Sequence, residues 1–265
     1  LGLTQLVGWG VTFYLIGALG PAMTADLGWN AATIYGGFSA AIVVMALVSP
    51  AAGAAVDRWG GHRVMPAGAM LSALGCALLA ITHSHAFYFA AWATLGVGMR
   101  LCLYDAAFAA LARAAGPAAR RPMSQITLFG GLASTVMWPV GHFLADWLGW
   151  RGAAWCYAAL ALATIPLYLA LPRRRYTAST ADPGRAATGL TRTAAERRLA
   201  GTLYAVMAML TNFLATGNAA HLFSLLTGLG LATAAAVTVA SLWGIGQFAA
   251  RLGDVLVGAR LHPLT

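Results

Sequence analysis

The chain has 265 residues, 60% of them hydrophobic and only 9% charged, against roughly 45–50% and about 25% in ordinary soluble domains. No soluble globule of this size hides that much apolar surface, so a soluble enzyme, a coiled coil and a disordered scaffold are excluded. The net charge of +9 arises from 16 basic residues, all arginine, against 7 acidic ones; most of these arginines sit in short loops between apolar runs, a topological distribution and not a nucleic-acid-binding patch.

The mean hydropathy of +0.74 is carried by runs of about 20 apolar residues, the length that crosses ~30 Å of hydrocarbon as a helix. The runs are continuous and do not alternate as barrel strands do, so the expected fold is an all-α polytopic membrane protein. In chain order the spans are predicted at 3–24, 32–56, 64–82, 86–112, 122–144, 152–171, 199–224 and 232–257. Cys76, Cys102 and Cys156 each stand alone inside an apolar run and read as small core residues. The run at 122–144 holds Gly130, Gly131, Ser134, Thr135 and Pro139, small residues and a proline suited to close packing and a bend. Trp9, Trp29, Trp92, Trp147, Trp150 and Trp155 include several interface anchors.

Charge then orients the spans. The loops after the second, fourth, sixth and eighth spans hold Arg58 and Arg63; Arg113, Arg120 and Arg121; Arg173 to Arg175, Arg185, Arg192, Arg197 and Arg198; and Arg260. The opposite loops offer only Arg151 beside Asp26, His83, His85 and Asp146. Positive residues hold the cytoplasmic side, so the N-terminus and these basic loops are expected inside, in a multi-pass inner-membrane protein. The polar stretch 172–198 divides a six-helix bundle at 1–171 from a partial bundle of two helices at 199–265, and reads as a solvated cytoplasmic connection. Leu1 is not a methionine and no basic region precedes the first run, so the chain reads as clipped at its start.

Laid on the first part at an offset of about 200, the second part repeats its topology: Gly28-Trp29-Asn30-Ala31-Ala32 opens the second span as Gly230-Leu231-Ala232-Thr233-Ala234 opens the eighth. Parallel repeats of this kind build secondary transporters. If the second unit has six helices like the first, four more follow Thr265.

The most specific string is Gly53-Ala54-Ala55-Val56-Asp57-Arg58-Trp59-Gly60-Gly61-His62-Arg63, in the cytoplasmic turn after the second span. Gly53 allows two helices to approach, Asp57 accepts hydrogen bonds at a neighbouring helix N-terminus, and Arg58 and Arg63 reach carboxylates or lipid headgroups. The pattern G-x-x-x-D-R-x-G followed by basic residues resembles the signature loop of the major facilitator superfamily. That resemblance implies the superfamily fold, one complete six-helix bundle plus the first two helices of the second. It also implies a conformational latch at Gly53, Asp57, Arg58, Gly60 and Arg63, with His62 at a position usually basic. Leu148-Gly149-Trp150-Arg151 resembles an outer turn common in the same superfamily.

Two spans carry charge within the hydrocarbon, where it costs at least ~2.5–3.5 kcal/mol and calls for a partner or a wet cavity. The fourth holds Arg100, Tyr104 and Asp105; Arg100 and Tyr104 are i,i+4 on one face, while Asp105 lies about 140° round from Arg100, so that the two do not pair within one helix. The eighth holds Gln247, Arg251 and Asp254 on one face. This spacing resembles the monocarboxylate and oxalate–formate branch, in which an arginine on this helix is expected to meet the substrate carboxylate; the planar guanidinium binds a carboxylate at two points. The expected function is therefore secondary active transport of a small organic anion by alternating access with a proton as coupling ion. Arg100, Tyr104, Gln247 and Arg251 are the candidate substrate ligands, and Asp105 and Asp254 the candidate proton carriers. Alternatives are a drug or metabolite efflux permease and a truncated non-transporting membrane protein. No catalytic, metal-binding or cofactor motif is present in the sequence, so an enzyme is not expected. The expected partners are a small molecule, a proton and the bilayer, with the chain acting as a monomer.

Overall fold

A computed structural model describes residues 1–173, 175–176 and 193–257, without the side chains of Asp254, Val255 and Val257. It is 89% helical, and the described residues contain no strand. Helix α1 (Gly2–Gly8) runs through a π-helical turn at Trp9–Phe13 into α2 (Leu15–Leu27), forming the first span. The second span is α3 (Ala31–Leu47) and α4 (Ser49–Trp59), bent by 53°. Pro50 in the first turn of α4 lacks an N–H and crowds the preceding turn, which accounts for the bend. There follow α5 (Gly61–Ala80), α6 (His85–Cys102), α7 (Tyr104–Ala115), α8 (Arg120–Gly131), α9 (Ala133–Ala163), α10 (Ile165–Leu169), α11 (Ala194–Gly228) and α12 (Thr233–Val257).

Helices occupy all eight expected spans, but four of the boundaries differ. The fourth span is not one helix: Leu103 is extended, with φ −81 and ψ −165, and separates α6 from α7. The Cys102 carbonyl exposed by this break accepts hydrogen bonds from Gln5 Nε2 at 2.8 Å and the Tyr168 hydroxyl at 3.3 Å. A break inside the hydrocarbon is tolerated where neighbouring groups satisfy the backbone in this way. Arg100 and Tyr104 consequently do not share a helix face. The fifth span is interrupted at Leu132 between α8 and α9. The outer turn expected before the sixth span is helical except at Gly149, whose φ of 70 turns the chain within α9. Finally, α11 starts at Ala194, inside the stretch expected to be a solvated loop, because Thr193 and Glu196 cap each other's backbone N–H groups. The rest of that stretch lies outside the described residues apart from positions 172–173 and 175–176.

The repeat of the second and eighth spans has a geometric counterpart. Gly28 has φ 65 and Gly230 φ 91, so both helices are entered from a left-handed turn at the corresponding glycine. Asn30 then caps α3 by accepting a hydrogen bond from the Thr33 N–H at 2.7 Å.

The centre of the first six spans is rich in buried aromatic side chains. Trp92 is fully buried and meets Phe38 edge-on, and Trp150 is 5% exposed; of the six tryptophans among which several interface anchors are expected, Trp147 and Trp155, 72% and 52% exposed, fit that place better than these two. Cys76 and Cys102 are buried and unpaired. Small residues bring α3 and α6 into backbone contact: a Cβ on Gly96 would stand 2.4 Å from the Ala41 carbonyl oxygen. Gly96→Val should therefore force two backbones apart and lower the melting temperature in detergent by an amount equivalent to about 1–3 kcal/mol. An unchanged melting temperature would mean that the two helices are free to separate.

Candidate functional site

Two polar clusters gather at the broken fourth span, around the consecutive residues Tyr104 and Asp105 of α7. The first surrounds Tyr104. Its ring is stacked on Phe108 with centroids 5.4 Å apart and is tilted against Trp9 at 5.0 Å. Its hydroxyl donates to the Thr127 carbonyl at 3.3 Å. From α12 the Arg251 guanidinium reaches over this ring, 5.8 Å from its centroid, a cation–π distance. Tyr14, at the end of the π-helical turn, places its hydroxyl close to the side chains of Gln247 and Ser134 and within electrostatic reach of Arg251.

Close backbone approaches hold α12 in this position. A Cβ on Gly131 would lie 3.5 Å from Arg251 Cδ, and one on Gly244 would meet Thr135 Oγ1 at 2.2 Å and Ser134 Oγ at 2.5 Å. Thr135 Oγ1 also donates to the Ser241 carbonyl at 2.7 Å. Glycines and small hydroxyl residues thus seat a long polar arm inside a helical bundle. Among the described residues no carboxylate pairs with Arg251, whereas the other mid-span arginine is paired. Gln247 and Arg251 face the same way, as their spacing predicts. Asp254, expected on that face, has a side chain outside the described residues.

The second cluster is centred on Arg100. Its guanidinium donates to Asp105 Oδ2 at 2.5 Å and to Ser49 Oγ at 2.5 Å. The expectation that Arg100 and Asp105 do not pair assumed a continuous helix; the extended Leu103 removes that assumption and lets the pair close across the break. No hydrogen bond or ion pair of Arg100 among the described residues reaches the Arg251 cluster. The ion pair lies beside a recess of about 40 Å³ walled by small side chains, including Ala52, Gly53, Ala106 and Ala109.

The signature loop continues from this recess. Gly60 closes α4 with φ 82 and ψ 156 and opens α5, a conformation that favours glycine. The Arg113 Nε–H of α7 donates to the Asp57 carbonyl oxygen at 3.1 Å. Among the described residues the Asp57 carboxylate itself has no hydrogen bond or ion pair, so its expected capping of a helix N-terminus is not formed here. Arg58 lies 5.7 Å from the Trp59 ring, and Arg63, Arg113 and Arg173 surround His62.

At the opposite end of the bundle Arg151 ties three elements together. It pairs with Asp26 at the end of α2 and donates to the Thr82 carbonyl after α5 at 3.0 Å. Trp150 Nε1 adds a 3.0 Å hydrogen bond to the same carboxylate. Asp26→Asn keeps the shape and weakens both contacts. Because the group is half exposed, the expected loss is small, about 0.5–1 kcal/mol of stability, visible as a modest fall in melting temperature. A fall comparable to that of Gly96→Val would show the clamp to be worth more than an exposed pair.

Of the expected set Arg100, Tyr104, Gln247 and Arg251, the structure brings Tyr104 to Arg251 and leaves Arg100 with Asp105 and Ser49 instead; sequence reasoning missed Tyr14, Trp9 and the coupling of Ser49 to Arg100. Tyr14 and Trp9 lie in an unbroken apolar run, where a single hydroxyl or indole N–H gives no pattern. Only the proline after Ser49 hinted at a break there.

Apolar helices of spanning length define a multi-pass membrane protein. The sequence model of the Major Facilitator Superfamily matches residues 1–263, and the chain belongs to that superfamily. Its members are membrane transporters, which bind small molecules and work within the bilayer. No curated protein and no solved structure matches the chain.

Proposed function

We propose that the chain carries a small organic anion across the inner membrane, by alternating access coupled to protons, with its basic loops facing the cytoplasm. The observation that supports this reading best is Arg251: a permanently charged side chain in a spanning helix, free of any carboxylate among the described residues and framed by Tyr104, Gln247 and Tyr14. Among the described residues this guanidinium has no planar acceptor for its paired N–H groups, and a substrate carboxylate is one. Tyr104 holds the arginine from one side and Gln247 offers an amide to a second polar group of the substrate.

Arg100 enters this reading differently from Arg251. Its fork is already occupied by Asp105 and Ser49, so it acts on the substrate only through the helices it joins. Asp105, half exposed and paired with Arg100, is the proton carrier of this reading, and Asp254 is a second candidate. The signature loop, with Gly53, Asp57, Arg58, Gly60 and Arg63, latches one conformation.

The test is uptake of radiolabelled small carboxylates into vesicles containing the protein. An inward proton gradient should accelerate uptake of one or more of them, and a neutral amide of the same carbon skeleton should not be taken up. Equal uptake of acid and amide, or indifference to the gradient, would contradict the reading.

A further inference from the structure

The second and fourth spans are both broken, and the two breaks meet at one side chain. Val48 separates α3 from α4 and Leu103 separates α6 from α7. Arg100, in the last turn of α6, donates to Ser49, the first residue of α4, and to Asp105 in the first turn of α7. Its guanidinium therefore lies at the N-terminal ends of two helices at once, where the helix dipoles disfavour a cation. The Asp105 charge offsets that disfavour, and no other charged side chain lines the recess beside the pair. The far ends of the same two helices are also joined: Arg113 in the last turn of α7 donates to the Asp57 carbonyl in the last turn of α4.

We infer that α4 and α7 form one rigid pair that swings about the breaks at Val48 and Leu103, and that protonation of Asp105 releases it. The pair is clamped at its near end by Arg100 and at its far end by Arg113. Its far end carries the signature loop, so a proton taken up at Asp105 moves that loop. Small residues, Ala52 and Gly53 on α4 and Ala106 and Ala109 on α7, line the recess between the two helices, so the end clamps rather than side-chain interlock hold the pair together. The main-chain N–H of Tyr176 also donates to the Arg113 carbonyl at 2.7 Å, so the start of the central connection follows the same movement. This inference rests on alternating access and on Asp105 as proton carrier, but not on the identity of the substrate.

The experiment measures distances between spin labels on the full chain in lipid vesicles at acidic and alkaline pH, with no substrate added. Cys156 is replaced by Ser, and the buried Cys76 and Cys102 remain. One label pair joins Ala54 and Ala112, exposed positions on α4 and α7; the other joins exposed Val43 on α3 to Ala112, across both breaks. The Ala54–Ala112 distance should hold within ~1 Å, while the Val43–Ala112 distance shifts by ~2 Å or more between the two pH values. Asp105→Asn should fix the second distance at its acidic value throughout. Arg113→Gln, which spares Asp105, should broaden the Ala54–Ala112 distribution while the pH response persists. The inference is overturned by a Val43–Ala112 distance that ignores pH, by an Ala54–Ala112 distance that moves with it, or by a pH response that survives Asp105→Asn. Failed carboxylate uptake alongside these distance changes would refute the substrate assignment alone.

Discussion

Arg251→Gln should abolish most carboxylate uptake while leaving the protein folded. A hydrogen bond to a charged group contributes about 1.5–3 kcal/mol, so removing the guanidinium should lower kcat/KM by roughly 10- to 150-fold. The same change should cost little stability, because no described carboxylate depends on Arg251 for neutralisation. Arg251→Lys, which keeps the charge but loses the planar fork, should fall between the two, at about a tenfold loss. Arg100→Gln supplies the contrast: it strands Asp105 and Ser49, so it should reduce folded yield, and the added Asp105→Asn should restore part of that yield. A measured profile in which Arg251→Gln unfolds the protein and Arg100→Gln only removes transport would reverse the two roles.

Gly17→Val should have the second large effect, and through a different mechanism. A Cβ on Gly17 would stand 2.4 Å from the Ala219 carbonyl oxygen of α11 and 2.9 Å from the Trp138 ring. This is the seam between α11 and the first six spans. Around it Tyr35 and Ser224 share a hydrogen bond at 3.0 Å, His221 lies 4.5 Å from the Tyr35 ring, and Phe223 lies 4.4 Å from His142. The buried residues of α11 are Ala219, Ala220 and Phe223, so the helix is held near its C-terminal end. A wedge there disfavours the closed seam by about 1–3 kcal/mol, which is roughly 5- to 150-fold in the equilibrium between open and closed forms. Turnover should fall accordingly, and a cysteine introduced at Ser224 should react faster with a soluble thiol reagent. Wild-type turnover with unchanged reactivity would show that this contact does not separate during transport.

Much of this architecture is written in the apolar pattern, because a membrane span must be long, apolar and helical whatever its neighbours. The eight spans and the shared face of Gln247 and Arg251 follow from that constraint and from the 3.6-residue period. The breaks do not. At Leu103 nothing local demands an interruption; what sustains it is the Gln5 amide and the Tyr168 hydroxyl, which come from residues far away in the chain. A sequence pattern carries no record of such tertiary satisfaction, so the Arg100–Asp105 geometry was misjudged from spacing. Tyr14 was illegible for a related reason: its role depends on α12 packing against α9 at Gly244, a contact between residues more than a hundred positions apart. Arg113 was read as one more topological charge, and only its 3.1 Å contact with the Asp57 carbonyl distinguishes it.

The central claim is that Arg251 meets the substrate's carboxylate, and the most direct measurement varies both charges together. Binding of a carboxylate and of its neutral amide is measured by calorimetry for the wild type and for Arg251→Gln. The wild type should prefer the carboxylate by roughly 10- to 150-fold, the equivalent of about 1.5–3 kcal/mol, and Arg251→Gln should bind both compounds equally weakly. An undiminished preference in Arg251→Gln would place the anion elsewhere and contradict the account.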